Sequence, residues 1–366
     1  MADPAQPTQN GDVHPSPKPA TPSRGEPGSP TPPHPHQPNH PTAHDPTGDP
    51  ALYLHPQTLA RLGTLELRAK FIVEGVMTGM HRSPYHGFSV EFAQHRQYAP
   101  GDDLRHLDWK VYGRSDKLYL KQYEQETNLD LVLLVDTSGS MNFGSRSYAS
   151  ASGAGLETSH RGDRTWTKFD HATATAAAVA YLALKQGDRV GLGMFAHELI
   201  DAADRSSAMA QWRRIVSILS ASPIDKPTNI GRVVDQTLAK LNNRCLIAVI
   251  SDFFEEPDRI RAALARIKHR RHDVLLLQVL DERERTFDFN DAAPFVGLEG
   301  EGRVKLDPRA VRNAYLDAFE RHQADLERAA LAFGFDLQTL STHDWLAPGI
   351  AGFMARRNGV LKRGGR

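Results

Sequence analysis

The sequence predicts an α/β protein built on a doubly wound, mainly parallel sheet, and three observations carry that prediction. From residue 129 onward, short apolar runs alternate with helix-like segments, the pattern of a sheet covered by helices on both faces. Two runs, Leu131-Val132-Leu133-Leu134-Val135 and Leu246-Ile247-Ala248-Val249-Ile250, are apolar throughout, as strands buried on both faces are. Each ends directly in polar residues, Asp136-Thr137-Ser138-Gly139-Ser140 and Ser251-Asp252, where open α/β sheets form their ligand crevice.

Residues 1–50 read as a disordered tail. They hold 15 of the 24 prolines, Val13 is their only branched aliphatic, and they contain no aromatic residue, so burial cannot offset the entropy of ordering. Their histidines (His14, His34, His36, His40, His44) are irregularly spaced, which suits a linker or weak docking tail better than a metal store. Over 52–80, Leu59, Leu62, Leu65, Leu67, Phe71 and Val76 recur at mostly helical spacing and predict one or two amphipathic helices. Over 87–123 the pattern turns toward strands, with a turn at 98–102 and an extended run at 118–123. Residues 51–128 thus read as a helical plus β-rich accessory region packed on the main domain.

The main domain, 129–357, is expected to place strands near 129–135, 189–195, 245–251, 274–280 and 335–340. Its helices are expected near 168–186, 207–220, 228–241, 259–269 and 308–333. A Ser/Gly/Ala-rich stretch, 142–164, reads as a mobile surface loop beside the crevice. Arg356, Arg357, Lys362, Arg363 and Arg366 suggest a solvated basic terminus, with the tail proper at 358–366.

Composition narrows the function. At 366 residues and 40% hydrophobic content the chain can build a real core, which excludes disorder throughout. A formal net charge of +0 gives no global field toward nucleic acid or anionic lipid, so no nucleic-acid partner is expected. Cys245 is the one cysteine, sits at the start of a predicted buried strand, and fits a reducing compartment as a small core residue. No basic-then-apolar leader and no apolar run near the ~20 residues that span a bilayer is seen, so a cytoplasmic protein without an integral membrane segment is expected.

The polar residues after the strands suggest a hard cation. Ser138 and Ser140, two apart in an extended turn, can present their hydroxyls on the side of Asp136, and oxygen donors of this kind suit Mg²⁺, with Mn²⁺ as the alternative. Thr228, in Lys226-Pro227-Thr228-Asn229-Ile230-Gly231, offers a further hydroxyl, and it also reads as a cap for the helix that follows. A separate group, Asp102, Asp103, His106 and Asp108, reads as an acid/base or metal site or as a turn pairing locally with Arg105 and Lys110 while Trp109 fills a core. The structural use is the favoured reading.

Asp136-x-Ser138-x-Ser140 at the end of the first central strand, then Thr228, then Asp252 after the fourth strand, resembles the metal-ion-dependent adhesion site of von Willebrand factor A domains. The segment from Glu91-Phe92-Ala93-Gln94-His95-Arg96-Gln97-Tyr98-Ala99-Pro100-Gly101-Asp102-Asp103-Leu104-Arg105-His106-Leu107-Asp108-Trp109, with Leu280-Asp281-Glu282-Arg283-Glu284, is similar to a bacterial family catalogued as domain of unknown function fifty-eight, DUF58. The resemblance covers roughly 52–357. It implies a vWA/Rossmann-like sheet with the first and fourth strands adjacent. It also implies direct metal contact by Ser138 and Ser140 and possibly Thr228, with mostly water-mediated support from Asp136 and Asp252.

It further implies a non-enzymatic module that binds a partner's Asp or Glu through the metal, and association with a MoxR-type AAA+ ATPase as an adaptor in protein remodelling or complex maturation. The chain has no Walker A motif, so ATP hydrolysis would come from that partner. Two other readings share the crevice: a Mg²⁺-dependent phosphohydrolase and a metal-free scaffold. The first lacks a second acid two residues after Asp136 and a G-x-S-x-G elbow.

Overall fold

The computed structural model describes residues 55–62, 64–82, 94–99, 107, 109–122, 129–149, 163–220, 226–289, 294–300 and 302–364. The N-terminal tail, the Asp102, Asp103, His106 and Asp108 group and the middle of the Ser/Gly/Ala-rich stretch lie outside these residues.

The chain begins with α1 (Pro56–Ala60), α2 (Leu65–Arg82), β1 (Gln94–Gln97), α3 (Trp109–Ser115) and β2 (Tyr119–Gln122), and β1 pairs antiparallel with β2. It continues through β3 (Asp130–Asp136), β4 (Arg146–Ala149), β5 (Asp163–Trp166), α4 (Lys168–Lys185), β6 (Arg189–Phe195) and β7 (Leu199–Ser206). After α5 (Ala210–Leu219) and α6 (Ile230–Ala239) come β8 (Leu246–Ser251), α7 (Pro257–His269), β9 (Asp273–Leu280) and α8 (Glu282–Thr286). A small hairpin, β10 (Pro294–Val296) with β11 (Arg303–Lys305), precedes α9 (Pro308–Phe333), β12 (Asp336–Ser341) and α10 (Ala347–Gly364).

The six-stranded central sheet has the order β12-β9-β8-β3-β6-β7. Every pair is parallel except β6 with β7. The chain therefore winds outward from β3 in both directions, and the strand order reverses between β3 and β8, the topological switch where α/β sheets bind ligands. The doubly wound fold expected from the alternating runs is the fold observed.

Alternation along β3 builds two cores at once. Leu131, Leu133 and Val135 face one cluster shared with α2, α4, α5 and α10, while Val132 and Leu134 face the other, shared with α6, α7 and α9. The α4 helix is buried nearly all round, and Ala172, Ala174, Ala176, Ala177, Ala178, Ala180 and Ala183 let the sheet and neighbouring helices approach closely. It is held at its start by a capping box between Thr167 and Asp170. Ala69, Ile72, Val73 and Val76 of α2 belong to the same core.

Four local expectations are corrected. The edge strand β7 was not anticipated, because Asp201, Asp204 and Arg205 break its apolar pattern. The stretch at 142–164 is not a simple loop: its ends pair as the antiparallel hairpin β4–β5. Trp109 is 65% exposed at the start of α3 and packs edge-on against Tyr112 instead of filling a core. Arg356 and Arg357 are not solvated, because α10 carries them inward against acids: Arg356 bonds Asp273 and Asp336, and Arg357 bonds Asp188.

Candidate functional site

The parallel register sets the ends of β3 and β8 level, since Val135 pairs with Ile250 and the next residues are Asp136 and Ser251. Both strands end in polar residues because the apolar rows of the two cores stop there. Asp136, Ser138, Ser251 and Asp252 are all essentially inaccessible, while Ser140 and Thr228 are partly exposed at the rim.

Asp136 is the hub. Its Oδ1 accepts from the Ser138 backbone N–H at 2.9 Å and its Oδ2 from the Ser251 hydroxyl at 2.6 Å. The Thr228 hydroxyl lies 3.2 Å from Oδ2, so the loop before α6 reaches the same carboxylate. Thr228 is not the cap of that helix: Asn229 is, its side chain accepting from the Arg232 N–H at 3.0 Å. Ser138 and Ser140 face each other with their Oγ atoms 3.1 Å apart. Burial, and after it the Asp252 carboxylate, push the Asp136 acid up to about 7 against the donors from Ser251 and Ser138.

Asp252 is anchored differently. Its Oδ1 accepts from the Phe254 N–H at 3.2 Å, and its Oδ2 takes the Lys168 ammonium at 2.8 Å. Lys168 also donates to Glu284 at 2.6 Å and lies 5.0 Å from the centroid of the Phe254 ring. Burial alone would lower its pKa, but Asp252 and Glu284 outweigh that and hold the ammonium above the ordinary lysine value. Burial raises the Glu284 carboxyl despite Lys168. Phe253, between Asp252 and Phe254, takes a left-handed φ of 57° and is locked by the Ser251 hydroxyl and by His322 on its carbonyl.

All five residues expected at the site, Asp136, Ser138, Ser140, Thr228 and Asp252, lie at the end of β3, on the loops after β3 and β8, or on the loop before α6. Four are joined by direct bonds: Asp136 to Ser138 and Thr228, and Ser138 to Ser140. Asp252 bears on them through its charge beside Asp136, while Lys168 joins it to Glu284. Sequence reasoning missed Lys168 and did not assign a role to Glu284. The available signal was a lysine at the first position of a helix directly before an alanine-rich run, an unfavourable place for a cation.

A second polar knot adjoins the first at the end of β9. Asp281 accepts from the Ser145 N–H at 3.0 Å, the Arg283 N–H at 2.9 Å and the Thr342 hydroxyl at 2.8 Å. Burial would raise its carboxyl, but these donors hold it below the usual range. Among the described residues no cluster of three or more His, Cys, Asp or Glu side chains is arranged to hold a metal. A cavity of about 260 Å³ lies over Gly191 and Gly193, between β6, β7 and α6, and Asp136, Ser138, Ser140, Thr228 and Asp252 are not among its lining residues.

The strand order and the crevice at its reversal define a doubly wound α/β domain of the von Willebrand factor A/Rossmann kind. Residues 94–325 match the family described as "Protein of unknown function DUF58", and the chain belongs to that family. The uncharacterized protein Rv1480 of Mycobacterium tuberculosis (strain ATCC 25618 / H37Rv) is 29% identical over 314 residues, 84% of this chain and 92% of that protein. The uncharacterized protein Mb1516 of Mycobacterium bovis matches at the same level.

Among solved structures, the conserved hypothetical protein BatB from Bacteroides thetaiotaomicron is 14% identical, with a TM-score of 0.41 over 64% of this chain and 100% of its own. The vWF domain of the type V pili tip protein Mfa5 from Porphyromonas gingivalis is 12% identical, with a TM-score of 0.30 over 63% of this chain and 96% of its own. The fold rests on the strand order, not on these likenesses. Among the described residues no helix is long and apolar enough to cross a membrane.

Proposed function

We propose that the chain is a non-enzymatic protein-interaction module whose crevice holds Mg²⁺, with Mn²⁺ as the alternative ion, and captures an Asp or Glu of a partner protein. The observation that carries this reading is the convergence of the Ser138 and Ser140 hydroxyls, 3.1 Å apart, beside two buried carboxylates. The donor set fits a hard divalent ion: every candidate ligand is oxygen, and among the described residues the hydrogen-bond donors to Asp136 are neutral.

Both carboxylates already accept protein donors on both oxygens, which favours Ser138, Ser140 and Thr228 as the direct ligands and water between the ion and Asp136 or Asp252. Neutral ligands leave the bound ion electrophilic, and that is the chemistry it supplies: attraction for an incoming carboxylate. Ser138 and Ser140 bond each other, and the residues around Ser138 lack the G-x-S-x-G elbow that exposes a serine nucleophile, which argues against hydrolysis by this serine.

The partner we propose is a MoxR-type AAA+ ATPase with its client, the association that the family resemblance implies, with the chain as adaptor in remodelling or complex maturation. The test is a quantitative capture from native cytosol with wild type and Asp136→Ala, each with Mg²⁺ and with EDTA, read by mass spectrometry. Retention of an AAA+ ATPase by wild type with metal alone supports the adaptor role. Capture indifferent to both changes removes the crevice as the binding surface.

A further inference from the structure

Lys168 breaks a local rule. It is the first residue of α4, where the helix dipole disfavours a cation, and its side chain is fully buried. A residue placed against local preference usually answers to something outside its own helix. Here that something is the crevice: the ammonium bridges Asp252 and Glu284 and lies against the face of the Phe254 ring. With three fixed partners it cannot swing out to solvent.

We propose that Lys168 is a resident cation of the crevice that sets its charge count, so that the site takes one divalent ion and holds it reversibly; this inference rests on the metal reading above. Asp136 and Asp252 bring two inaccessible carboxylates to the crevice, and Glu284, its side chain 15% exposed, adds a third through the ammonium it shares with Asp252. Among the described residues Asp136 is met by the neutral donors of Ser138, Thr228 and Ser251, whereas Asp252 and Glu284 share the Lys168 ammonium. With all three carboxylates ionised the excess is two negative charges, which one divalent ion balances.

Two consequences follow from Coulomb's law at these short separations. Without the ion, Lys168 relieves repulsion between Asp252 and Glu284, so the loops keep their arrangement while the metal is away. With the ion present, the same ammonium repels it and weakens its hold. Occupancy then responds to metal concentration and to an incoming carboxylate, in place of a permanently bound structural ion.

The test titrates Mn²⁺ calorimetrically into the purified full-length chain and four variants, with circular dichroism as the folding control. Lys168→Met raises the excess to three charges and should bind Mn²⁺ about tenfold tighter, or more, than wild type. It should also melt lower in EDTA and gain more in Tm on adding Mn²⁺. Glu284→Gln keeps the lysine, lowers the excess to one, and should bind about tenfold weaker; it also decides the matter if Lys168→Met does not fold.

Lys168→Met/Glu284→Gln restores the excess of two and should return near the wild-type affinity. Binding by the folded Lys168→Met variant that is unchanged or weaker, or a double variant that fails to return, overturns the proposal and assigns Lys168 a purely structural role. Asp136→Ala separates the two readings. If wild type binds Mn²⁺ and Asp136→Ala does not, the metal site stands whatever Lys168 does. If wild type does not bind and Lys168→Met does, the lysine has displaced the ion, and the charge role survives while the metal reading fails for the natural chain. If none binds, both fall.

Discussion

The Ser251 hydroxyl donates to Asp136 Oδ2 across 2.6 Å and accepts from the Phe253 N–H at 3.0 Å, so one small side chain fastens the end of β8 to the end of β3. Both residues are fully buried. Ser251→Ala would leave a buried carboxylate oxygen one donor short, at a cost of roughly 1–3 kcal/mol. Urea unfolding in EDTA measures this, and an unchanged midpoint would mean that Thr228 and the Ser138 N–H satisfy Asp136 by themselves.

His171 gives the protein an acid limb. It is fully buried in α4, the Trp166 indole N–H approaches its Nδ1 at 3.5 Å, and burial lowers its pKa from 6.5 to about 3. The native state refuses a proton that the unfolded chain accepts, so this contribution to stability is complete above about pH 6.5 and is lost as the pH falls toward 3. His171→Leu should flatten the decline of unfolding free energy across that window. Parallel wild-type and variant curves would show that the ring is reached by protons in the native state.

Gly144 joins the crevice loop to the β4–β5 hairpin at a point where a Cβ would overlap the Trp166 carbonyl oxygen. Backbone cannot yield as a flexible side chain does, so Gly144→Ala should destabilise by about 1–3 kcal/mol. Amide exchange should localise the loss to 145–149 and 163–167. A loss spread evenly over the sheet would assign the effect elsewhere.

Arg357 donates to Asp188 through Nε and Nη2, and the same carboxylate accepts the Leu129 N–H at 3.0 Å, at the start of the central strand. Arg357→Ala would strand a fully buried acid and should cost about 3–5 kcal/mol. Asp188→Asn combined with Arg357→Leu should recover part of it, and thermal melts of the single and double variants read the coupling.

The sequence made the sheet legible where burial is two-sided. The runs ending at Val135 and Ile250 could be read because every residue is apolar, and the polar residues after them followed from position alone. The edge strand β7 escaped because one of its faces meets water, so Asp201 and Arg205 resemble a loop. Asp136, Ser138, Ser140, Thr228 and Asp252 were legible as a spacing, but the Lys168 to Glu284 bridge spans 116 positions and has no local signature. Arg356 and Arg357 misled for a related reason: charge near a terminus reads as solvated until the acids that α10 brings it to are known.

The central place of β3 in the sheet also orders events during synthesis. Its hydrogen-bonding neighbour β8 and the Ser251 that closes the crevice lie 115 residues downstream of Asp136. At ribosomal speeds of ~5–20 residues per second, that separation keeps the edge of β3 that β8 will cover open for roughly 6–23 seconds, although β6 arrives sooner on the other side. Over that interval Leu131-Val132-Leu133-Leu134-Val135 is a sticky strand on a nascent chain, and a slowed ribosome or a missing chaperone would be felt there before it was felt anywhere in the finished fold.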